Sequence, residues 1–323
     1  MTSISSQVAK YPHPTRQISL LTKFIDKNKR ATNNKRTFNL FVRMKRQANP
    51  PRSMLFVSGE KPERFPKAMA AGADLVCIDL EDAVHPDRKQ QARSEVIAWL
   101  QNRPAEGGPV ALRINPLRTR EGFHDLVALL ASTVQVDWLL LPKSEHAADV
   151  QCVESWAASQ IGAVCALVET PFGIAQLPHI AAAGGKLRAL MLGGADLATE
   201  LGAQFGWDGL LHARGLMVNT ARAAGLQAWD VPHVNLQDAE ELSLETRRVL
   251  ALGFDCKTAI HPQQIERIHA AHAPTPAELE WARLLVEAVP DGESSGAFLY
   301  QGRMVDAPLV RKARRLVDNA SRA

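Results

Sequence analysis

Two carboxylates stand at equivalent places in this sequence. Glu169 directly follows the apolar run VCALV, and Asp196 follows a second apolar run that ends in two glycines. If both runs are neighbouring parallel strands, about 4.8 Å apart, the two side chains can share one ion. Mg²⁺ suits such a site, because it takes one or two protein carboxylates and leaves positions for water and substrate oxygens. The alternative is that Glu169 caps a helix and Asp196 lies in a turn.

The elements that must position these carboxylates form a repeating pattern. From Arg52 onward, strand-length apolar runs alternate with helical segments, as in a parallel sheet built from βαβ units. We predict strands at residues 53–57, 75–80, 110–114, 138–141, 164–168, 189–192, 227–231 and 258–260. Eight such repeats predict a (β/α)₈ TIM barrel. Glycine or polar residues end each run, and we expect them to gather on the C-terminal face, where barrel enzymes place their chemistry.

The chain divides into three parts. Residues 1–48 hold 11 Lys and Arg residues against one acid, and we expect a basic, disordered extension. A targeting sequence and an arm that docks on an anionic partner are the alternatives. Residues 49–275 form the barrel. Residues 276–323 are predicted to form a lid of helices and a hairpin around Phe298 and Tyr300, packed on the barrel or on a neighbouring subunit.

Charge and cysteine usage exclude several kinds of partner. Beyond residue 48 the chain has 27 basic and 33 acidic residues, so the barrel does not have the charge of a nucleic-acid binder. The four cysteines stand singly, without metal-ligand spacing, which indicates buried thiols in a reducing compartment. No apolar run approaches the ~20 residues of a membrane span. We therefore expect a cytoplasmic protein without nucleic-acid or membrane partners.

Five motifs occur in a fixed order: RSMLFVSGEKPERFPKAMAAGADLVCIDLEDAV, LRINP, LLLPK, VETPFGI and GGADL. Together they resemble the citrate lyase beta-subunit-like group of the HpcH/HpaI aldolase superfamily, which includes citryl-CoA, malyl-CoA and citramalyl-CoA lyases. The resemblance covers about residues 50 to 320. It implies a Mg²⁺-dependent TIM barrel, commonly a homotrimer, that breaks or forms a carbon–carbon bond beside a coenzyme A thioester.

The resemblance also implies roles for individual residues. Glu169 and Asp196 correspond to the Mg²⁺ ligands, with Gly194 and Ala195 beside the substrate. Arg113 corresponds to an arginine that faces the reacting oxygens, where a planar guanidinium can bind a carboxylate or an enolate.

Further implied residues surround these. Asp79 and Glu81 are expected to hold water near the metal and to orient Arg113; alternatively they form ion pairs with Arg52 or Lys143. We expect Lys143 to be a charged positioning residue. Arg52, at the start of the first strand, is a candidate for contacts with coenzyme A or with a loop. The GRMVDAP segment resembles one whose aspartate reaches a neighbouring subunit's active site, which makes Asp306 the catalytic acid or base.

The expected reaction is a retro-Claisen cleavage of a 3-hydroxy-3-carboxyacyl-CoA to acetyl-CoA and a 2-oxo acid. Arg113 would stabilise the enolate oxygen and Asp306 would protonate the enolate carbon. Citramalyl-CoA is the favoured substrate, followed by citryl-CoA and malyl-CoA. The alternatives are the beta subunit of a multi-subunit citrate lyase acting on citryl-acyl carrier protein, a thioesterase or malate-synthase-like enzyme, and a binding protein that uses the basic arm.

Overall fold

Eight parallel strands close into a barrel in sequence order, which confirms the predicted TIM barrel. The structure is a computed structural model that describes residues 50–103, 107–289 and 296–320. The barrel strands are β1 (Ser53–Ser58), β2 (Leu75–Asp79), β3 (Val110–Arg113), β4 (Val136–Leu141), β5 (Ile161–Val168), β6 (Leu187–Leu192), β7 (Gln227–Asp230) and β8 (Cys256–Ala259). A hairpin of β9 (Phe298–Tyr300) and β10 (Arg303–Val305) follows later in the chain.

Helices connect the strands in the expected βα alternation. They are α1 (Phe65–Met69), α2 (Lys89–Asn102), α3 (Arg120–Leu130), α4 (Ala147–Ala157), α5 (Pro171–Ala175), α6 (Leu177–Ala181), α7 (Gly194–Leu201), α8 (Trp207–Ala224), α9 (Ala239–Leu252), α10 (Gln263–His272), α11 (Pro276–Ala288) and α12 (Ala307–Ala320). Short 3₁₀ turns precede α1 and α2. No helix in the described ranges is long and apolar enough to cross a bilayer.

The core has two layers, because successive strand residues point to opposite sides of the sheet. Cys77 of β2 packs inside the barrel with Met54 and Trp229, whereas its neighbour Ile78 packs against the helices. All four cysteines are free thiols, and all except Cys152 are buried. This agrees with the expectation of buried, unpaired cysteines.

The helices differ from the prediction in two places. The helical segment between β5 and β6 is divided into α5 and α6, because Pro178 has no N–H to continue the hydrogen bonding of the preceding turn. Helix α7 was not predicted. It begins at once after β6, so Asp196 lies in its first turn and not in a loop.

The C-terminal extension encloses a small apolar cluster of its own. Helices α11 and α12 pack on each other and on the β9–β10 hairpin, around buried residues such as Leu285 and Val305. The predicted hairpin is confirmed, with Met304 opposite Leu299. Packing of this extension on a neighbouring subunit stays a prediction. The predicted basic extension, residues 1–48, lies outside the described residues.

Candidate active site

Six charged side chains gather at the C-terminal ends of strands β2 to β6. Parallel strands place these ends on one face of the barrel, so residues far apart in the sequence meet there. The six, which we call the site cluster, are Asp79, Glu81, Arg113, Lys143, Glu169 and Asp196.

Arg113 is held by carboxylates from the end of β2. Its Nε and Nη2 donate to Asp79 Oδ1 and Oδ2 at 2.7 and 2.6 Å. Its Nη1 lies 2.8 Å from Glu81 Oε2, although the pair is not aligned as a hydrogen bond. Burial acts to lower the pKa of Arg113, but attraction to Asp79 and Glu81 outweighs it and raises the pKa. The guanidinium is therefore permanently charged, with its plane fixed.

Two carboxylates of the site cluster, Glu169 and Glu81, are buried, and the nearby positive charges do not fully offset the cost of burying their negative charge. Burial, with repulsion from Glu81, raises the pKa of Glu169 to about 8. Burial raises the pKa of Glu81 to about 7, against the attraction of Arg113. Glu169 accepts a hydrogen bond from the Lys143 main-chain N–H at 2.8 Å, whereas Glu81 Oε2 is buried without a hydrogen bond. If all four carboxylates of the cluster were ionised, they would exceed its two cations by two charges, and the raised pKa values of Glu81 and Glu169 reflect this excess together with burial.

Lys143 supplies the second positive charge. Its Nζ lies 3.0 Å from Asp196 Oδ2 and 3.6 Å from Glu81 Oε1. Its backbone has φ 50°, which is uncommon for a residue with a side chain and holds the loop after β4 in one conformation. The ammonium group thus occupies the space where a cation can contact both acids.

The two glycines after β6 have different roles. A Cβ on Gly193 would overlap the Glu169 side chain, so the lack of a side chain here lets the chain pass this carboxylate directly after β6. A Cβ on Gly194 would lie 2.7 Å from side chains of Leu210 and Val231, so Gly194 allows close packing of α7. Ala195 is exposed in the first turn of α7. Sequence reasoning missed the role of Gly193, for which the doubled glycine was the available signal.

Comparison with known proteins identifies the family. Residues 52–262 match the HpcH/HpaI aldolase/citrate lyase family model. Citrate lyase subunit beta from Haemophilus influenzae is 34% identical over 283 residues, which cover 83% of this chain and 96% of that protein. The chain belongs to the HpcH/HpaI aldolase/citrate lyase family. Like its relatives in that family, this chain is a carbon–carbon lyase.

Two further relatives bear on the chemistry. The L-malyl-CoA/beta-methylmalyl-CoA lyase of Rhodobacter capsulatus is 32% identical over 302 residues, covering 84% of this chain and 95% of that enzyme. The crystal structure of CitE from Mycobacterium tuberculosis, in complex with magnesium, acetoacetate and coenzyme A, is 34% identical with a TM-score of 0.74. The match covers 85% of this chain and 99% of that one.

The donor set of this HpcH/HpaI family member fits Mg²⁺. In residues 50–103, 107–289 and 296–320, no three Asp, Glu, His or Cys side chains already converge as a closed metal cage. Glu169 instead lies against Gly193, and Asp196 lies in the first turn of α7, near enough to repel the Glu169 carboxylate; both are hard oxygen donors. The excess of carboxylates over cations, and the raised pKa of Glu169, also favour a bound cation. Two carboxylates with open positions are the arrangement Mg²⁺ prefers.

Two predicted site residues with charged side chains, Arg52 and Asp306, are not part of the site cluster. Arg52 lies at the start of β1, the opposite end of the barrel, where its main-chain N–H, Nε and Nη2 bind the Asp74 carboxylate at 2.8 to 2.9 Å. It therefore ties β1 to the segment before β2, which is a loop contact of the kind expected as one of its two alternatives. Contact of Arg52 with coenzyme A stays a prediction. Asp306 is exposed and accepts a hydrogen bond from Leu309 N–H at 3.2 Å, which caps α12.

Proposed function

We propose that this chain is a Mg²⁺-dependent lyase that cleaves citramalyl-CoA, or a related 3-hydroxy-3-carboxyacyl-CoA, to acetyl-CoA and a 2-oxo acid. The observation that carries the proposal is the charge of the site cluster. Four carboxylates face two cations, and two of these carboxylates have raised pKa values. A site of this charge favours a divalent cation that itself binds anionic substrate oxygens.

Each charged side chain has a distinct part in this proposal. Glu169 and Asp196 would hold Mg²⁺, which when bound polarises the substrate's carboxylate and hydroxyl oxygens and lowers the hydroxyl pKa. Lys143 would add positive charge beside the substrate carboxylate. Arg113, fixed by Asp79 and Glu81, would donate hydrogen bonds to the enolate oxygen of the acetyl-CoA fragment.

The substrate hydroxyl passes its proton to solvent water as the carbon–carbon bond breaks, and the hydroxyl-bearing carbon becomes the carbonyl carbon of the 2-oxo acid. The electron pair of the broken bond passes to the acetyl-CoA enolate, whose carbon then needs a proton. Asp306 of a neighbouring subunit is the proposed donor. Its exposure at the start of α12 supports a role outside its own chain's core.

A cavity beside the site cluster supports a small, uncharged substituent on the 2-oxo acid. Its volume is about 330 Å³, and it borders Lys143 and Thr170 between apolar side chains of the β3 and β4 loops. Arg118 in its wall is already paired, at 2.6 Å with Glu145 and 3.2 Å with Asp149. A second substrate carboxylate would meet these acids, whereas a methyl group would not. This favours pyruvate over oxaloacetate as product.

The substrate test is an assay of the purified protein against citramalyl-CoA, citryl-CoA and malyl-CoA, with Mg²⁺ or with EDTA, detecting each 2-oxo acid. We expect Mg²⁺-dependent cleavage of citramalyl-CoA to pyruvate and acetyl-CoA. Its kcat/KM should be higher than that for citryl-CoA or malyl-CoA. Release of free coenzyme A from the intact acyl group would instead indicate a thioesterase. Equal turnover of all three substrates would contradict the cavity argument.

The second candidate is the beta subunit of a multi-subunit citrate lyase. The similarity to the Haemophilus influenzae subunit over 96% of its length favours it. Citryl-acyl carrier protein and citryl-CoA, compared as substrates at equal concentration, distinguish the two functions. A strong preference for the carrier-bound thioester would support the second candidate.

The proposed shared active site has its own test. Asp306→Asn and Glu169→Gln variants, each inactive alone, are mixed under conditions of subunit exchange. If each site takes its barrel from one subunit and Asp306 from another, some mixed sites contain both native residues and activity returns. No return of activity, with exchange confirmed by mass spectrometry, would show that Asp306 does not act in a neighbour's site.

A further inference from the structure

Lys89, at the start of α2, makes a complete set of hydrogen bonds to residues next to the site cluster. Its Nζ donates to the main-chain oxygens of Leu80 and Glu81 at 2.9 and 2.7 Å, and to Asn115 Oδ1 at 2.7 Å. A lysine ammonium has three N–H donors, so all three are used. Lys89 therefore joins the end of β2 to the segment that follows β3.

The segment that Lys89 binds is the one that orients Arg113. Asp79, Glu81 and Asp82 all contact the guanidinium, and all lie within four successive residues. The Asp79 carboxylate also accepts hydrogen bonds from the main-chain N–H groups of Glu81 and Ala83, at 2.8 and 3.0 Å. A shift of this segment would therefore move every carboxylate that fixes Arg113.

Asn115 extends the same support to the strand that carries Arg113. Its Nδ2 donates to Leu80 O at 2.9 Å and to Asp125 Oδ2 at 2.7 Å, while Arg93 Nε donates to Asp125 Oδ1 at 2.6 Å. Lys89 thus connects the two strand ends through Asn115. The network rests on α2 and α3, and its members Arg93, Asn115 and Asp125 are buried.

We propose that Lys89 is a positioning residue for Arg113: it fixes the β2 end through Leu80 O, Glu81 O and Asn115, and thereby holds the carboxylates that set the guanidinium plane. Lys89 does not touch the reacting atoms in this proposal. Outer residues that orient the groups in direct contact with substrate typically contribute about 10- to 100-fold in activity. The inference rests on the proposed function only for the chemical role of Arg113.

The chain offers a matched control at the other end of the barrel. Lys186, directly before β6, also donates from Nζ to two main-chain oxygens, those of Ala158 and Ile161. Like Lys89 it is partly buried. Lys186→Met therefore removes a similar set of hydrogen bonds without affecting the site cluster.

The experiment compares Lys89→Met with Lys186→Met in the full-length protein. For Lys89→Met we expect kcat to fall about 10- to 100-fold, with Mg²⁺ affinity and KM changed less than about twofold, because Glu169 and Asp196 belong to other strands. Lys186→Met should keep the wild-type kcat. A kcat for Lys89→Met within twofold of wild type, or an equal loss in both variants, would overturn the proposal.

Hydrogen exchange provides a readout that does not depend on catalysis. The Glu81 and Ala83 amides should exchange on the order of tenfold faster in Lys89→Met and at the wild-type rate in Lys186→Met. Unchanged exchange would overturn the positioning role even if activity fell. If wild type shows no lyase activity, the proposed function fails while the exchange result still tests Lys89. If Lys89→Met does not fold, Lys89→Gln replaces it, and the same kinetic and hydrogen-exchange results would support or overturn the proposal.

Discussion

Two groups of charged residues in the described part of the barrel differ in charge balance, and the first is the site cluster. The second group, which we call the β7–β8 cluster, lies between the barrel and its helices; its members are Arg214, Asp230, His233, Glu245 and Lys257. Lys257 Nζ lies 2.7 Å from both Asp230 and Glu245, and Arg214 Nε lies 2.9 Å from Asp230. Two carboxylates thus meet two permanent cations.

The consequences for pKa are opposite in the two clusters. Asp230 is fully buried, which by itself raises its pKa, but Lys257 and Arg214 outweigh burial and lower it. In the site cluster the cations do not outweigh burial, and the pKa values of Glu81 and Glu169 rise to about 7 and about 8. Uncompensated charge, not the number of charged residues, therefore distinguishes a candidate active site from a structural ion-pair network.

The largest effect is expected from Glu169→Gln, compared with Glu245→Gln in the balanced cluster. Activity of Glu169→Gln should fall at least about a thousandfold, because a metal ion contributes several kcal/mol to transition-state stabilisation. Calorimetry should show lost Mg²⁺ binding while circular dichroism shows an unchanged fold. Glu245→Gln should lose stability and keep Mg²⁺ affinity. Wild-type Mg²⁺ affinity in Glu169→Gln would contradict its assignment as a ligand.

The next effect concerns the β7–β8 cluster. Lys257→Met should lower the free energy of unfolding by about 3–5 kcal/mol, because it leaves the buried Asp230 carboxylate with less compensation. Urea denaturation measures this. The double variant Asp230→Asn/Lys257→Met should recover part of the loss, and kcat per folded molecule should stay at the wild-type value. A double variant as unstable as Lys257→Met would show that lost packing, not charge, is the cause.

The sequence was sufficient to predict the barrel, because apolar runs of strand length alternate regularly with helical segments. All eight strands lie where they were predicted, with β5 beginning three residues earlier, at Ile161. The position of Glu169 at the end of β5 also follows from this pattern. The hydrogen-bond and ion-pair partners of such residues do not follow from this pattern, because they depend on the rotation of helices around the barrel.

Asp230 shows where the pattern misleads. It ends an apolar run and was expected on the C-terminal face with the other polar strand ends, yet its side chain is fully buried against Arg214 and Lys257. The alternation of side chains along β7 turns Asp230 toward the helices, because Trp229 points inside the barrel. The role of Lys89 was not predicted either, because no sequence pattern identifies a lysine whose ammonium group binds main-chain oxygens.

A smaller effect is expected from Arg113→Lys. An ammonium group cannot donate to Asp79 at two points and to substrate in the same plane, so activity should fall about 10²- to 10³-fold, nearly as far as in Arg113→Ala. Steady-state kinetics on the preferred thioester measures this, with Mg²⁺ affinity as the control that should not change. A lysine variant with most of the wild-type rate would show that Arg113 contributes charge alone.

The smallest effect is a pH dependence that belongs to the balanced cluster. The lowered pKa of Asp230 means that the folded protein holds this carboxylate ionised at pH values where the unfolded chain protonates it, below about 3.8. Its stabilising contribution is therefore complete above that value and is lost as pH falls toward the lowered pKa. Urea denaturation along an acid series should show wild type losing stability more steeply than Asp230→Asn/Lys257→Met, which lacks both charges. Parallel losses in the two proteins would mean that other carboxylates cause the acid sensitivity and that the ion pair does not stabilise the fold.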